Sequence, residues 1–483
     1  MIKVLLINPP LTVTERYGTE MKEFGGVSEP LGLAYIAGNL EKNGFRVGIV
    51  DAPPQEVSIE DIVTHHIDEE ITLVGITFLS PMFDSVRKLA NRIKELHPNV
   101  KIIVGGPHPS ALPEDTLKEI QSIDYVCIGE GERTIVEVAE FLSGEREIKD
   151  IKGLAYKNSN GVRINEPRPI EKNLDTLPKP SRHLLPMTKY KLTGSRTKGS
   201  VFCPTIILAR GCPFDCQFCS HPFGKTFRHH SVERIIGEIE ELVENYGTRQ
   251  INFEADTLTI DKRFVVELCQ RIIDRKLDIS WTCESRMDTI DEEMLRIMKK
   301  AGCWQISYGV ESGSQRLLDI IHKGITKEKV IETFKITKKI GISIRGFFML
   351  GLPTETVEES YQTIKFAKKL NPLWAQFTVT IPYPGTPMFA QLDKEGSIRH
   401  YDWSNYNTWG GWADKMLPYV PEGRTENELK NLQKKAMRMY YMRPGAFFNQ
   451  LKTISSYDDI KKLAKGFIIL VKTKMEANRE LKG

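Results

Sequence analysis

Cys212, Cys216 and Cys219 stand in one short run, Arg210-Gly-Cys-Pro-Phe-Asp-Cys-Gln-Phe-Cys-Ser220, with the spacing C-x3-C-x2-C. Three thiolates this close together suit an iron–sulfur cluster. A cubane cluster carries four irons and is ordinarily held by four thiolates. Three ligands leave one iron open, and an open metal position marks chemistry more often than structure. The competing reading is zinc, which takes four tetrahedral ligands, commonly from two separated pairs. No second cysteine pair follows, and His221 would close an awkward tetrahedral knot. The run therefore points to a cluster with a free coordination position.

The elements that must position this loop are legible as apolar runs. The loop follows a strand-like segment, Thr205–Ala209, and further strands are predicted at Gln250–Glu254, Ile279–Glu284, Trp304–Gly309, Ile342–Leu350 and Trp374–Ile381. Helical patterns alternate with them. In Val232–Tyr246 the apolar positions Ile235, Ile236, Ile239, Leu242, Val243 and Tyr246 follow a helix period. Six such units predict an open (β/α)6 partial barrel over 199–390. The cluster loop then lies on the C-terminal rim, where barrel active sites are found.

Residues 1–145 show a second alternation, with strands predicted at Lys3–Ile7, Val47–Asp51, Leu73–Phe78, Lys101–Val104 and Tyr125–Ile128. Short apolar runs are expected for strands buried on both faces. This rhythm predicts a flavodoxin-like, doubly wound domain, so the fold class is α/β. Its strand ends run into Asn8-Pro9-Pro10, Leu79-Ser80-Pro81, Gly105-Gly106-Pro107-His108 and Gly129-Glu130-Gly131-Glu132. One Gly/Pro loop merely ends a strand. A whole set on one edge predicts a broad platform for a large flat cofactor, because glycine lets backbone approach a ligand closely.

A connector is expected over 146–198, opening with a hairpin turned at Asn160-Gly161. The C-terminal region, 391–483, places Trp403, Trp409 and Trp412 close together and then two basic helices. The tryptophans are read as core packing ahead of a cavity wall. The basic tail is read as docked on its own domain, with peripheral membrane contact as the alternative.

With 483 residues, 27% charged and 40% hydrophobic, the chain reads as an ordinary globular protein of two or three domains. A net charge of +4 gives no case for nucleic acid. The N-terminal apolar stretch is too short for a signal peptide, and no run approaches the ~20 residues that span a bilayer. The other five cysteines are scattered, which is no disulfide framework. Free thiols and an exposed cluster fit a reducing cytoplasm.

With Phe218 just before its last cysteine, the loop resembles the signature of the radical S-adenosylmethionine superfamily. The resemblance implies that Cys212, Cys216 and Cys219 hold a [4Fe–4S] cluster whose open iron chelates S-adenosylmethionine. One electron from a low-potential donor such as flavodoxin or ferredoxin then releases a 5′-deoxyadenosyl radical, which abstracts hydrogen from an unreactive carbon. Strand-end segments extend the resemblance. Glu254 or Asp256 would face the cofactor's amine, and Arg286 its carboxylate. Glu311 and Ser312 would contact ribose or methionine, and Gly351 would lie on the adenine side.

The first domain resembles the cobalamin-binding domain that precedes the barrel in one large subgroup. That implies cobalamin over Asn8, Leu79, Ser80, Gly105, Gly106, His108, Gly129, Glu130 and Gly131. No Asp-x-His-x-x-Gly motif is present, so no histidine is assigned as lower axial ligand, and the Leu79–Met82 loop is placed beneath the cobalt. The expected function is methylation of an unactivated carbon. The alternatives are oxidative cyclisation, like the anaerobic magnesium-protoporphyrin cyclase, and a non-catalytic cobalamin or redox sensor. Small-molecule, lipid and tetrapyrrole substrates all occur in this subgroup. The aromatic, basic C-terminal region points to a large apolar or anionic one.

Overall fold

The computed structural model describes residues 2–22, 25–199, 202–451, 453–454 and 457–480. Residues 200–201, near the expected start of the second domain, lie outside this set. The first sheet is built from β1 (Lys3–Asn8), β2 (Arg46–Asp51), β3 (Ile71–Thr77), β4 (Lys101–Gly105) and β5 (Tyr125–Cys127). They run parallel in the order β2-β1-β3-β4-β5. That is the flavodoxin-like order read from the strand rhythm. The strands are apolar on both faces because helices cover both. Leu5 and Ile7 pack with Val86, Leu89 and Ile93 of helix Phe83–Leu96. Val4 and Leu6 pack with helices Leu31–Lys42 and Gly131–Leu142 on the other side. The hairpin β6 (Leu154–Asn158) and β7 (Gly161–Ile164) does not stand apart as a connector. It pairs antiparallel with β5 and extends the first sheet to seven strands.

The second sheet holds β8 (Thr205–Ile207), then β11 (Gln250–Glu254), β12 (Ser280–Ser285), β13 (Cys303–Glu311), β14 (Ser343–Leu350) and β15 (Trp374–Val379). All six are parallel and lie in sequence order. Between β8 and β11 a small antiparallel ribbon, β9 (Ala209–Arg210) and β10 (Arg228–His229), encloses the cysteine loop. Strand side chains alternate between faces. Ile251, Phe253, Trp281, Ile306, Tyr308, Ile344, Phe348 and Phe377 enter the core beneath the helices. Most of the intervening residues are polar, Asn252, Glu254, Thr282, Glu284, Ser307, Arg345 and Gln376, with Phe347, Met349 and Trp374 the apolar exceptions on β14 and β15. A parallel strand buried on both faces should be apolar throughout. The polar alternation marks this second face as one built to meet a ligand.

The two sheets share a core. Leu317, Leu318, Leu352, Val379 and Met388 from the second half cluster with the first sheet's Ile7, Ile76 and Val104. The three tryptophans divide. Trp403 is core, edge-on to the ring of His108; Trp412 is buried in the second core and Trp409 packs against it, and both also line a cavity. Helix Glu426–Tyr441 packs Leu432, Ala436 and Tyr440 into the second core. Helix Tyr457–Glu480 turns Ile469 and Leu470 toward that same core, the docked arrangement of the basic tail. Among the described residues no helix is long and apolar enough to cross a membrane.

Candidate cluster and cofactor site

The cysteine loop is pinned at several points. Gly211 adopts φ +86°, and a Cβ there would lie 2.1 Å from the carbonyl oxygen of Thr226, so only glycine fits. Its N–H donates to Asp256 Oδ2 at 2.7 Å. The N–H of Cys212 donates to Gly224, that of Gln217 to Ile321, and that of Cys219 back to Cys216. Cys216 is buried and the other two are half-buried. Arg286 Nη1 donates to Cys216 Sγ at 3.4 Å, and Cys212 Sγ lies 3.8 Å from Thr257 Oγ1. Hydrogen bonds to sulfur are one means by which proteins tune an iron–sulfur cluster.

Burial pushes the Cys219 thiol up to about 12, and the neighbouring Cys216, Asp256 and Cys212 raise it further. Burial also raises Cys216, against the pull of Lys323 and Arg286. Thiolates at Cys216 and Cys219 are therefore poorly supported by the protein alone and call for the positive charge of bound iron. Among the described residues no three or more His, Cys, Asp or Glu side chains converge on a single-ion site. The donor chemistry fits a cluster carried on one loop.

Around the loop stand the strand-end charges. Glu254 and Asp256 carry free surface, yet protein surrounds them, so that surface faces an interior space. Burial raises both pKa values, with Glu284 also acting on each. Glu284 accepts from Arg196 at 2.5 Å. Glu311 and Lys323 form a buried ion pair at 2.8 Å. Glu311 holds a left-handed φ of 64°, a strained conformation of the kind that collects at functional sites. The Lys323 ammonium also sits over the ring of Phe218, 5.6 Å from its centroid.

Three expected contacts are spent inside the chain. Arg286 chelates Asp288, donates to the Lys323 carbonyl and stacks 3.7 Å from the Phe214 ring centroid. It is a strut of the cysteine loop, with its donors engaged, rather than a partner for a cofactor carboxylate. Ser312 is buried against Thr363. Gly351, with φ +79°, packs beneath Leu429 of the C-terminal helix.

On the edge of the first sheet, Leu79 is 44% exposed while its neighbours Phe78 and Ser80 are buried. An exposed leucine there suits the underside of a flat ring. Gly129 is exposed at φ +80°, with open space where a side chain would stand. Gly105 is half-buried at the end of β4. Gly106 takes φ +106° because a Cβ would meet the Phe78 backbone. His108 is withdrawn from the edge: its Nδ1 bonds Ser80 Oγ at 3.0 Å and its ring is enclosed by Phe78, Phe83 and Trp403. Burial lowers its pKa to about 4, so it is neutral. Gly131 starts its helix against Ile36. Glu130 is taken up by Arg228 at 2.6 Å, and Glu132 by Arg210 at 2.6 Å. These two carboxylates clamp the first sheet to the ribbon that carries the cysteines.

Asn8 donates to Asp51 Oδ1 at 2.7 Å, and Tyr190 to Oδ2 at 2.6 Å. Burial nonetheless raises the Asp51 pKa to about 6. The folded state thus keeps a proton that the unfolded chain releases near pH 4, so stability falls as pH rises from about 4 to about 6. A shift of roughly two units corresponds to about 3 kcal/mol. Asp51→Asn removes this component. Urea unfolding at pH 4 and pH 6.5 should show the difference between wild type and variant changing by about 2 kcal/mol, since the unfolded side chain is already half ionised at pH 4, and parallel profiles would refute the assignment.

Lys323, Thr257 and Arg196 lie in turns or connectors with no periodicity or motif to flag them, and Phe214, although inside the cysteine run, carries no local sign that Arg286 stacks on it.

The Radical SAM superfamily matches residues 206–367, and the B12 binding domain matches residues 21–139. An uncharacterized methyltransferase of Pyrococcus horikoshii is 39% identical over 456 residues, covering 93% of this chain and 95% of its own. The anaerobic magnesium-protoporphyrin IX monomethyl ester cyclase of Rubrivivax gelatinosus is 29% identical over 84% of this chain and 72% of its own. Two solved structures share the fold. TsrM from Kitasatospora setae, with cobalamin and [4Fe-4S] cluster bound, has a TM-score of 0.70 at 16% identity, covering 99% of this chain and 100% of its own. OxsB, with aqua-cobalamin and S-adenosylmethionine bound, has a TM-score of 0.72 at 18% identity, covering 99% and 71%. With two family matches in tandem on its two sheets and a relative aligned along almost its whole length, this chain belongs to the B12-binding radical SAM enzymes.

Proposed function

We propose that this enzyme methylates an unactivated carbon. The observation that carries the reading is the clamp between the two halves. Arg210 and Arg228 flank the cysteine loop and bind Glu132 and Glu130 at the strand-end edge of the B12-binding sheet. One interface thereby holds both cofactor faces. The relative named a methyltransferase supports the same outcome.

In this reading Cys212, Cys216 and Cys219 hold a [4Fe–4S] cluster. Phe218, Glu254 and Asp256 border S-adenosylmethionine, with an acidic side chain toward its amine. Glu311, held by Lys323, stiffens the strand end beside it. Leu79, Gly105 and Gly129 would hold cobalamin at the edge of the first sheet, the glycines letting it lie close to backbone. When bound, these groups supply an adenosyl radical to remove hydrogen and a methyl group to replace it. A low-potential electron donor is the required partner. The second reading is oxidative cyclisation, favoured by the similarity to the Rubrivivax cyclase.

The anaerobically reconstituted protein should show both iron–sulfur and corrinoid absorption, and should cleave S-adenosylmethionine under strong reductant. Product mass then separates the outcomes: methylation adds CH2 and cyclisation does not. Absence of cleavage would overturn the reading.

A further inference from the structure

A chamber of about 1150 Å3 lies against the polar face of the second sheet. Sites for drug-sized ligands are roughly 300–1,000 Å3, so this one admits something larger. Trp374, Trp409 and Tyr441 form walls, and Phe467 and Leu470 of helix Tyr457–Glu480 also line it. Its charged lining is all cationic: among the described residues it includes arginines and lysines but no aspartate or glutamate.

Arg345 of β14 lies in this lining and is only 7% exposed. Its Nη2 donates to Gln376 Oε1 at 2.5 Å, and its guanidinium sits over Phe347 at 4.7 Å. Its Nη1 finds no hydrogen-bond partner among the described residues. Burial lowers its pKa to about 10, which leaves it charged at neutral pH. Glu284 acts on Arg345 only at a distance, against the opposing charge of Arg196, and no carboxylate forms an ion pair with it among the described residues. A buried cation without a direct ion-pair partner is costly, and an anion carried in by a ligand reduces that cost. Guanidinium suits carboxylate and phosphate alike. The aromatic and aliphatic walls call for an apolar body.

We propose that this chamber is the substrate site, and that the substrate is a large amphiphilic anion: an apolar body whose carboxylate or phosphate rests on Arg345. The proposal rests on the functional reading above. Arg196 connects the chamber to the reaction centre, because it lines the cavity and bonds Glu284 at 2.5 Å.

The test uses the full-length, cluster-loaded protein. Binding of palmitate, hexadecyl phosphate and pyrenebutyrate is measured against methyl palmitate, hexadecanol and methyl pyrenebutyrate. Each anion should bind at least tenfold tighter than its neutral counterpart. The preferred head group tells carboxylate from phosphate, and palmitate against pyrenebutyrate tells a flexible body from a flat one. Arg345→Met should lose the anion preference and still bind the neutral forms, and Arg345→Lys should restore part of it. Equal binding of acid and ester by wild type, no binding of any probe, or an anion preference that survives Arg345→Met would overturn the proposal. If Arg345→Met does not fold, the comparison in the unaltered protein decides alone. S-adenosylmethionine cleavage by wild type, measured in parallel, separates failure here from failure of the functional reading.

Discussion

Replacing Cys216 by alanine should abolish S-adenosylmethionine cleavage and iron–sulfur absorption together, and leave a folded protein. Cys216 is the buried member of the three, its sulfur held by Arg286 Nη1. Burial raises its thiol pKa, so a thiolate here calls for the positive charge of bound iron. With two ligands left, a four-iron cluster loses the arrangement that exposes one iron alone. The fold should persist, because the loop is tied by backbone bonds from Cys212, Gln217 and Cys219 that a substitution at Cys216 leaves in place. Cys269→Ala is the control. Cys269 lies in the second core, where burial raises its thiol far above the usual range and makes it inert. Its loss should cost about 1 kcal/mol, an average value for a point substitution, and spare iron content and cleavage. Iron analysis and 5′-deoxyadenosine formation read both variants. Cleavage that survived in Cys216→Ala would remove the cluster from the mechanism.

What the sequence made legible was whatever is written in neighbouring residues. The strands of both sheets could be read because each is a short apolar run between turn residues, and helix Val232–Tyr246 because its apolar positions repeat every turn. The cysteine loop could be read because all its ligands fall within eight residues. The rest depends on approach in space. Glu130 looks like a ligand-loop residue until Arg228, 98 positions away, is seen to hold it. Arg286 looks like a carboxylate binder until Phe214, Asp288 and Cys216 are found around it. Trp403 and Trp409 are six positions apart, yet one is core and the other borders the chamber. The hairpin at Asn160-Gly161 announces its own turn, but nothing local announces that β5 is its neighbour. Arg345 carries no motif at all, and only its burial without a full set of partners distinguishes it.

Arg210→Met should destabilise the protein by about 3–5 kcal/mol, the cost of breaking a buried ion pair from one side. Arg210 is 2% exposed and lies between the rings of Tyr35 and Phe223, 5.4 and 5.0 Å from their centroids. Burial alone would lower its pKa, and Glu132, together with Glu130 and Tyr35, more than offsets this. Removing the guanidinium strands Glu132, whose side chain is 7% exposed. The double variant Arg210→Met/Glu132→Leu removes both charges and should recover most of the loss, because a well-packed apolar pair often matches a buried salt bridge. Denaturant unfolding of the four proteins in the cycle measures this coupling. The functional effect should outlast the recovery. Arg210 stands two residues before Cys212 and ties that loop to the B12-binding sheet, so the double variant keeps stability while losing the charge pair that fixes how the two halves meet. On the methylating reading, radical formation would need only the barrel half, whereas methyl transfer would need both. The ratio of 5′-deoxyadenosine to methylated product should therefore rise several-fold in the single and the double variant alike. A ratio restored along with stability would show that the pair matters for folding and has no part in setting the distance between the cofactors.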